Sequence, residues 1–213
     1  MSSDVLVTTP AQRQTEPHAE AVSRNRRQQA TFRKVLAAAM ATLREKSYAD
    51  LTVRLVAARA KVAPATAYTY FSSKNHLIAE VYLDLVRQVP CVTDVNVPMP
   101  IRVTSSLRHL ALVVADEPEI GAACTAALLD GGADPAVRAV RDRIGAEIHR
   151  RITSAIGPGA DPGTVFALEM AFFGALVQAG SGTFTYHVIA DRLGYVVGLI
   201  LAGANEPSTG GSE

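Results

Sequence analysis

At 213 residues with a formal net charge of +1, the chain can bury a real core and fits one large domain or two small ones. Alanine, leucine and valine dominate, tryptophan is absent, and β-branched alternation is scarce, which disfavours a sheet protein and predicts an all-α fold. The two cysteines, Cys91 and Cys124, propose neither a disulfide framework nor a metal site and suit small core or pocket positions in a reducing compartment.

The near-neutral total hides an asymmetry. Residues 1–90 hold 13 Lys/Arg against 7 Asp/Glu, whereas residues 91–213 hold 8 against 13. The imbalance tightens in residues 24–74, with 11 basic and 2 acidic side chains. Concentration of positive charge over one segment points to a polyanion partner; a merely solvated surface is the alternative.

In chain order, residues 1–25 are polar and aperiodic and read as a disordered arm ending in the basic cluster Arg24, Arg26 and Arg27. The N-terminus lacks a basic start and a long apolar stretch, so no signal peptide and a cytoplasmic protein are expected. From Arg27 to Lys46, Phe32, Leu36, Ala39, Met40 and Leu43 recur at helical spacing and make one buried stripe. Thr52 can cap a short helix from Val53 to Ala60. Pro64 suits the first turn of a third helix ending near Phe71, because its missing N–H would have no intrahelical partner there. Ser72 or Ser73 caps a fourth helix, from about Lys74 to Val89, with Leu77, Ile78, Val81, Leu85 and Val86 apolar.

The stretch "PCVTDVNVPMP" is a proline-rich break, dividing residues 26–90 from a second domain at 91–205, with a disordered tail at 206–213. Beyond it, helices are expected near 100–115, 117–129, 135–156, 162–180 and 184–203. The last two are apolar on more than one face, so they must be buried on several sides, in a core or against a second subunit. The late apolar run "YVVGLILAGA" is too short to span a bilayer, and no membrane association is expected.

The stretch "KVAPATAYTYFSSKNHL" gathers tyrosines, hydroxyls and a lysine in a chain otherwise poor in aromatics. Two short helices joined by "KVA" have the proportions of a helix-turn-helix, whose second helix enters the DNA major groove. A tyrosine hydroxyl can bond a phosphate while its ring packs on sugar or a thymine methyl. A lysine opening the next helix can meet a phosphate together with that helix's free N–H groups. Phe71 is expected in the core, and Tyr48 as packing between the first and fourth helices.

In "TVRLVAARAKVAPATAYTYFSSKNHLIAEV" the order, spacing and type of Thr52, Val56, Ala57, Ala60, Val62, Thr66, Tyr68, Phe71, Lys74 and Leu77 resemble the tetracycline repressor (TetR) family of bacterial regulators. The resemblance implies an N-terminal three-helix helix-turn-helix DNA-binding domain and a C-terminal helical ligand-binding and dimerisation domain. It implies that Thr52, Tyr68 and Lys74 bond phosphates and that Thr66 faces bases, with Ala65 allowing close approach. Thr69 and Tyr70 occupy positions that touch backbone or base edges, and Arg54 and Pro64 complete the expected DNA-facing set. Three positions depart from the family pattern. Lys61 stands where glycine is frequent, so it either carries strain or avoids positive φ, and it can add a phosphate contact. Ala63 replaces a serine or threonine, and Ala67 a leucine. The arm of Arg24, Arg26 and Arg27 could reach a minor groove or flanking phosphates.

The acidic half is implied to hold a small-molecule effector and to dimerise through the last two helices, whose mix of small and large apolar residues suits close helix packing. His109, Cys124, Phe172, Phe173 and Gln178 are the pocket candidates, and low aromatic and charge content there leans towards an apolar effector. A two-fold dimer predicts a palindromic operator. The rival class is an enzyme. However, "GPGADPG" lacks the Lys-Ser/Thr ending of a phosphate loop, no nucleophile elbow or His-Glu-x-x-His occurs, and the five histidines show no ligand spacing. Neither catalysis nor a cofactor or metal is expected. A helical small-molecule-binding protein without DNA binding is the second rival.

Overall fold

The computed structural model describes residues 16–130 and 133–204, with side chains from Asn25 onward. The described residues form nine α-helices and no strand, as the composition predicts: α1 (Glu16–Leu43), α2 (Val53–Arg59), α3 (Pro64–Tyr70), α4 (Lys74–Gln88), α5 (Met99–Ala111), α6 (Pro118–Asp130), α7 (Pro135–Ile156), α8 (Pro162–Gly180) and α9 (Tyr186–Ala204). The ends of α2, α3 and α4 fall within a residue of expectation because local chemistry sets them. The Thr52 hydroxyl accepts from Leu55 N at 3.1 Å, Pro64 opens α3, and the Ser73 hydroxyl accepts from His76 N at 3.0 Å.

One boundary departs from expectation. Helix α1 starts at Glu16, so residues 16–25 are helical rather than a disordered arm. Pro17 in the first turn and the acids Glu16 and Glu20 suit a helix start, and extending an existing helix adds one hydrogen bond per residue fixed. Residues 1–15 and the 206–213 tail lie outside the described residues.

Helices α1–α3 pack together, with Val35, Ala39, Val56, Ala57, Ala67 and Phe71 fully buried between them. Phe71 stacks on Phe32 at 5.1 Å between ring centroids, which confirms its core role. Helix α4 joins this unit to the larger bundle, packing against α1 on one side and α6 and α7 on the other. Arg44, at the C-terminal end of α1, also forms a two-pronged pair with Glu117 before α6. In the bundle, α5 packs on α7 and α9, and α8 packs on α6, α7 and α9.

Helices α8 and α9 are each 19 residues with mean hydropathy 1.4, long and apolar enough by length and composition to cross a membrane. The ten-residue run considered from sequence is only part of α9. Both helices carry charges tied to protein neighbours: Glu169 to His149, Asp191 to Arg108, and Arg192 over the Phe184 ring at 3.9 Å.

Candidate nucleic-acid interface and internal cavity

Helix α3 is two-sided. Ala67 and the following Phe71 face inward with no exposure, while Pro64, Ala65, Thr66, Tyr68 and Thr69 are exposed. Tyr68 stands out at 51 % exposure in a segment whose other aromatics are covered. Tyr70 is half-buried, its ring edge-on to Phe32 at 6.1 Å, so packing holds it and only part of the side chain is presented outward. The Thr69 hydroxyl donates to Ala65 O at 3.0 Å, which leaves its lone pairs outward. Ala63 gives α3 no side-chain cap, as expected from the missing hydroxyl.

Lys61 resolves the alternative left by the sequence: its φ is +52°, the left-handed conformation that favours glycine. Its N–H bonds Ala58 O and Val62 N–H bonds Ala57 O, both at 3.0 Å. This pattern satisfies the last carbonyls of α2 and turns the chain into α3. The Lys61 ammonium is thereby carried outward at the turn between the two short helices.

Lys74 is placed differently from a free phosphate ligand. Its Nζ donates to Tyr48 O at 3.1 Å and Ala49 O at 3.5 Å and lies 4.5 Å from the Tyr48 ring centroid. Tyr48 packs beside α4 as expected and donates its hydroxyl to Asn75, and burial pushes its pKa up to about 12. Two of the 11 basic residues are consumed internally, Arg44 by Glu117 and Arg59 by Glu45 at 2.5 Å. Arg26, Arg27, Arg33, Lys34, Arg54 and Lys61 are exposed and have no carboxylate partner among the described residues. The side chain of Arg24 is outside the described ones.

A cavity of 570 Å³ lies in the bundle between α4, α6, α7, α8 and the start of α9. That volume is within the range of small-molecule sites. Of the five pocket candidates, Cys124 and Phe173 line it. Burial pushes the Cys124 thiol up to about 12, so it is an apolar wall group and not a nucleophile. The other three candidates are elsewhere. Phe172 is fully buried in the core, His109 is exposed on α5, and Gln178 lines a separate 400 Å³ groove along α8 and α9. One residue along a helix is about 100° of rotation, which is why Phe173 meets the cavity and Phe172 does not.

Sequence reasoning missed Tyr82 on α4, Thr125 on α6, Arg141 and Ile144 on α7, and Tyr186 at the start of α9. A usable sign was present for Tyr82, a hydroxyl inside the apolar stripe of α4. Another was Gly121, a glycine inside a helix, where an added Cβ would come within 2.3 Å of the Tyr186 hydroxyl.

On α8, Phe166 and Met170 are exposed on the outer surface and Phe173 and Val177 at the mouth of the cavity, at intervals of three or four residues, so the four share one face. Val188, Tyr195 and Leu199 form a matching exposed row on α9. Contiguous apolar exposure of this kind marks an interaction surface.

Residues 35–81 match the family model for bacterial regulatory proteins of the tetR family. Along the chain, the fold is similar to that of a TetR transcriptional regulator from Rhodococcus sp. RHA1, at 21 % identity, TM-score 0.69, covering 84 % of this chain and 98 % of that one. It is also similar to Thermus thermophilus FadR, a TetR-family transcriptional repressor in complex with lauroyl-CoA, at 18 % identity, TM-score 0.60, covering 85 % and 99 %. A third is FadR from Bacillus subtilis in complex with stearoyl-CoA, at 14 % identity, TM-score 0.54, covering 81 % and 98 %. Residues 35–81 therefore carry the helix-turn-helix segment of the tetR family of bacterial regulatory proteins, and most of the chain shares the fold of the TetR regulators it resembles.

Proposed function

We propose that the chain is a ligand-responsive transcriptional repressor that binds a palindromic operator as a homodimer and is released by a small, mostly apolar effector. The observation that carries this reading is the two-sidedness of α3 within the most basic segment of the chain. Thr66, Tyr68 and Thr69 face outward with Pro64 and Ala65, a short side-chain surface that lets the helix approach base edges closely. Thr52, Arg54 and Lys61 flank it as backbone contacts, and Arg26 and Arg27 extend the positive surface along α1. Lys74 acts mainly by holding the α1–α2 loop against α4, with its remaining donor available to a phosphate.

The exposed rows of α8 and α9 suit a two-fold interface that sets two α3 helices about 34–36 Å apart, one turn of DNA. Helix α4 runs from Lys74 beside the DNA-facing unit to Tyr82 in the cavity wall, so a ligand that moves α4 alters the spacing of the reading heads. Release is then a population shift towards a conformer that no longer matches the groove. Two structurally similar proteins hold acyl-CoA ligands, and the apolar wall here supports an effector with a substantial apolar body.

The test is selection of the purified protein against random DNA duplexes, with sequencing of what is retained. Enrichment of a palindrome with half-sites about one turn apart supports the regulator. A folded dimer that enriches nothing at low salt, with the cavity extracted of ligand, would leave a helical small-molecule-binding protein without DNA activity.

A further inference from the structure

We propose that the cavity selects an amphiphile carrying an anionic group at one end and a neutral hydrogen-bonding oxygen at the other, the anion held by Arg141 and the oxygen by the hydroxyls of Tyr82, Thr125 and Tyr186. This rests on the reading that the cavity is the effector site. Most of its wall is apolar, with Val114, Leu128, Ile144 and Leu176 among the lining residues, so a few polar groups decide orientation. The Tyr82 hydroxyl is buried without a hydrogen-bond partner among the described residues, a condition that native interiors rarely leave uncompensated. It shares the cavity wall with Cys124 and Tyr186.

Two glycines keep room for the other hydroxyls. A Cβ on Gly121 would sit 2.3 Å from the Tyr186 hydroxyl, and one on Gly180 would sit 2.0 Å from Thr125 Oγ1. Glycine inside a helix is unfavourable relative to alanine, so both positions call for such a local reason.

Arg141 marks the opposite end. Elsewhere on α7, Arg143 pairs with Glu80 and Arg150 and Arg151 share Glu147, whereas Arg138, one turn before Arg141, is exposed and outside the cavity wall. Arg141 has no carboxylate partner among the described residues and makes one long bond, from Nη2 to Leu129 O at 3.4 Å. Gly121, by the Tyr186 hydroxyl, and Leu129, by Arg141, are eight residues apart on α6, which separates the two by about 12 Å, with Thr125 one turn from the Gly121 end. A chain of medium length spans that gap.

The experiment is calorimetric titration of the full chain with ω-hydroxydecanoate, decanoate and decanol. Tyr82→Phe should weaken ω-hydroxydecanoate about tenfold and leave decanoate within about twofold, the loss of one hydrogen bond. Thr125→Val should act in the same direction. Arg141→Gln should weaken both acids by about tenfold or more and leave decanol unaffected. Melting temperatures establish that each variant is folded. If the probes bind but Tyr82→Phe affects decanoate and ω-hydroxydecanoate alike, or Arg141→Gln spares the acids, the two-ended selection is wrong while the cavity remains the binding site. If none of the three probes binds the native chain, the effector-site reading falls and the selection with it.

Discussion

Single residues separate the DNA-facing role from the structural one. Tyr68 is half exposed, and its hydroxyl makes no hydrogen bond among the described residues, so Tyr68→Phe should leave the melting temperature unchanged and weaken operator binding; a loss of stability without a loss of affinity would make Tyr68 a structural residue. Lys61 holds a left-handed backbone at φ +52°. Glycine there relieves strain but frees the unfolded chain, so Lys61→Gly should stabilise by about 0.5–1 kcal/mol in chemical unfolding. If the ammonium also meets a phosphate, the same variant lowers the salt slope of operator binding by about one. At Tyr82 the orphaned hydroxyl makes the opposite of the usual core prediction. Tyr82→Phe should raise the melting temperature by about 2–4 °C, the equivalent of about 1 kcal/mol in a chain of this length.

Among the elements, α4 is held along its whole length by α7. At its start the Ser73 hydroxyl donates to Asp134, the N-cap of α7, at 2.8 Å. At its middle Glu80 pairs with Arg143, and at its end the buried Arg151 donates to Val89 O at 2.6 Å. The two helices therefore run parallel and in register, and a displacement of one carries the other. Burial alone would raise the Glu80 carboxyl, but hydrogen bonds from His76 and Arg143 outweigh it and hold the pKa below its ordinary 4.5. A depressed carboxylate stabilises the fold above its unfolded value and loses that contribution as pH falls through the folded one. The α4–α7 contact should thus be insensitive to pH from neutral down to about 4.5 and weaken below it. Acid titration of Glu80→Gln by circular dichroism should show this component missing. Arg143→Ala should cost about 1–2 kcal/mol, less than a fully buried pair because Arg143 is 43 % exposed.

For the whole molecule, the proposed dimer ties assembly and DNA affinity to the exposed rows on α8 and α9. Met170→Glu with Leu199→Glu should leave the helical content intact and shift sedimentation to a monomer, since both side chains are more than half exposed and bury little in the isolated subunit. Operator affinity should fall with it, because one α3 reads only one half-site. A variant that stays dimeric would place the interface elsewhere. The charge asymmetry also acts at this scale: Arg26, Arg27, Arg33, Lys34 and Arg54, exposed and without a carboxylate partner among the described residues, should make binding steeply dependent on salt.

The sequence by itself determined the helical class, the limits of α2, α3 and α4, and the outward set of α3 apart from the half-buried Tyr70. All of these rest on interactions within a few residues: a threonine or serine cap, a proline at a first turn, Phe71 one turn after Ala67. It did not determine where α1 begins, because the apolar stripe that betrays a helix stops where its buried face stops, while the hydrogen-bonded helix runs on to Glu16. Of its five pocket candidates, the structure brings only Cys124 and Phe173 to the cavity wall. The cavity wall joins residues from five helices, and which of two adjacent side chains faces it depends on how each helix is rotated against the others. That rotation is settled by packing between elements far apart in the chain, as is the lack, among the described residues, of a carboxylate for Arg141 and of a hydrogen-bond partner for the Tyr82 hydroxyl. Local chemistry wrote the surface that reads; only the tertiary structure decided the space that can be filled.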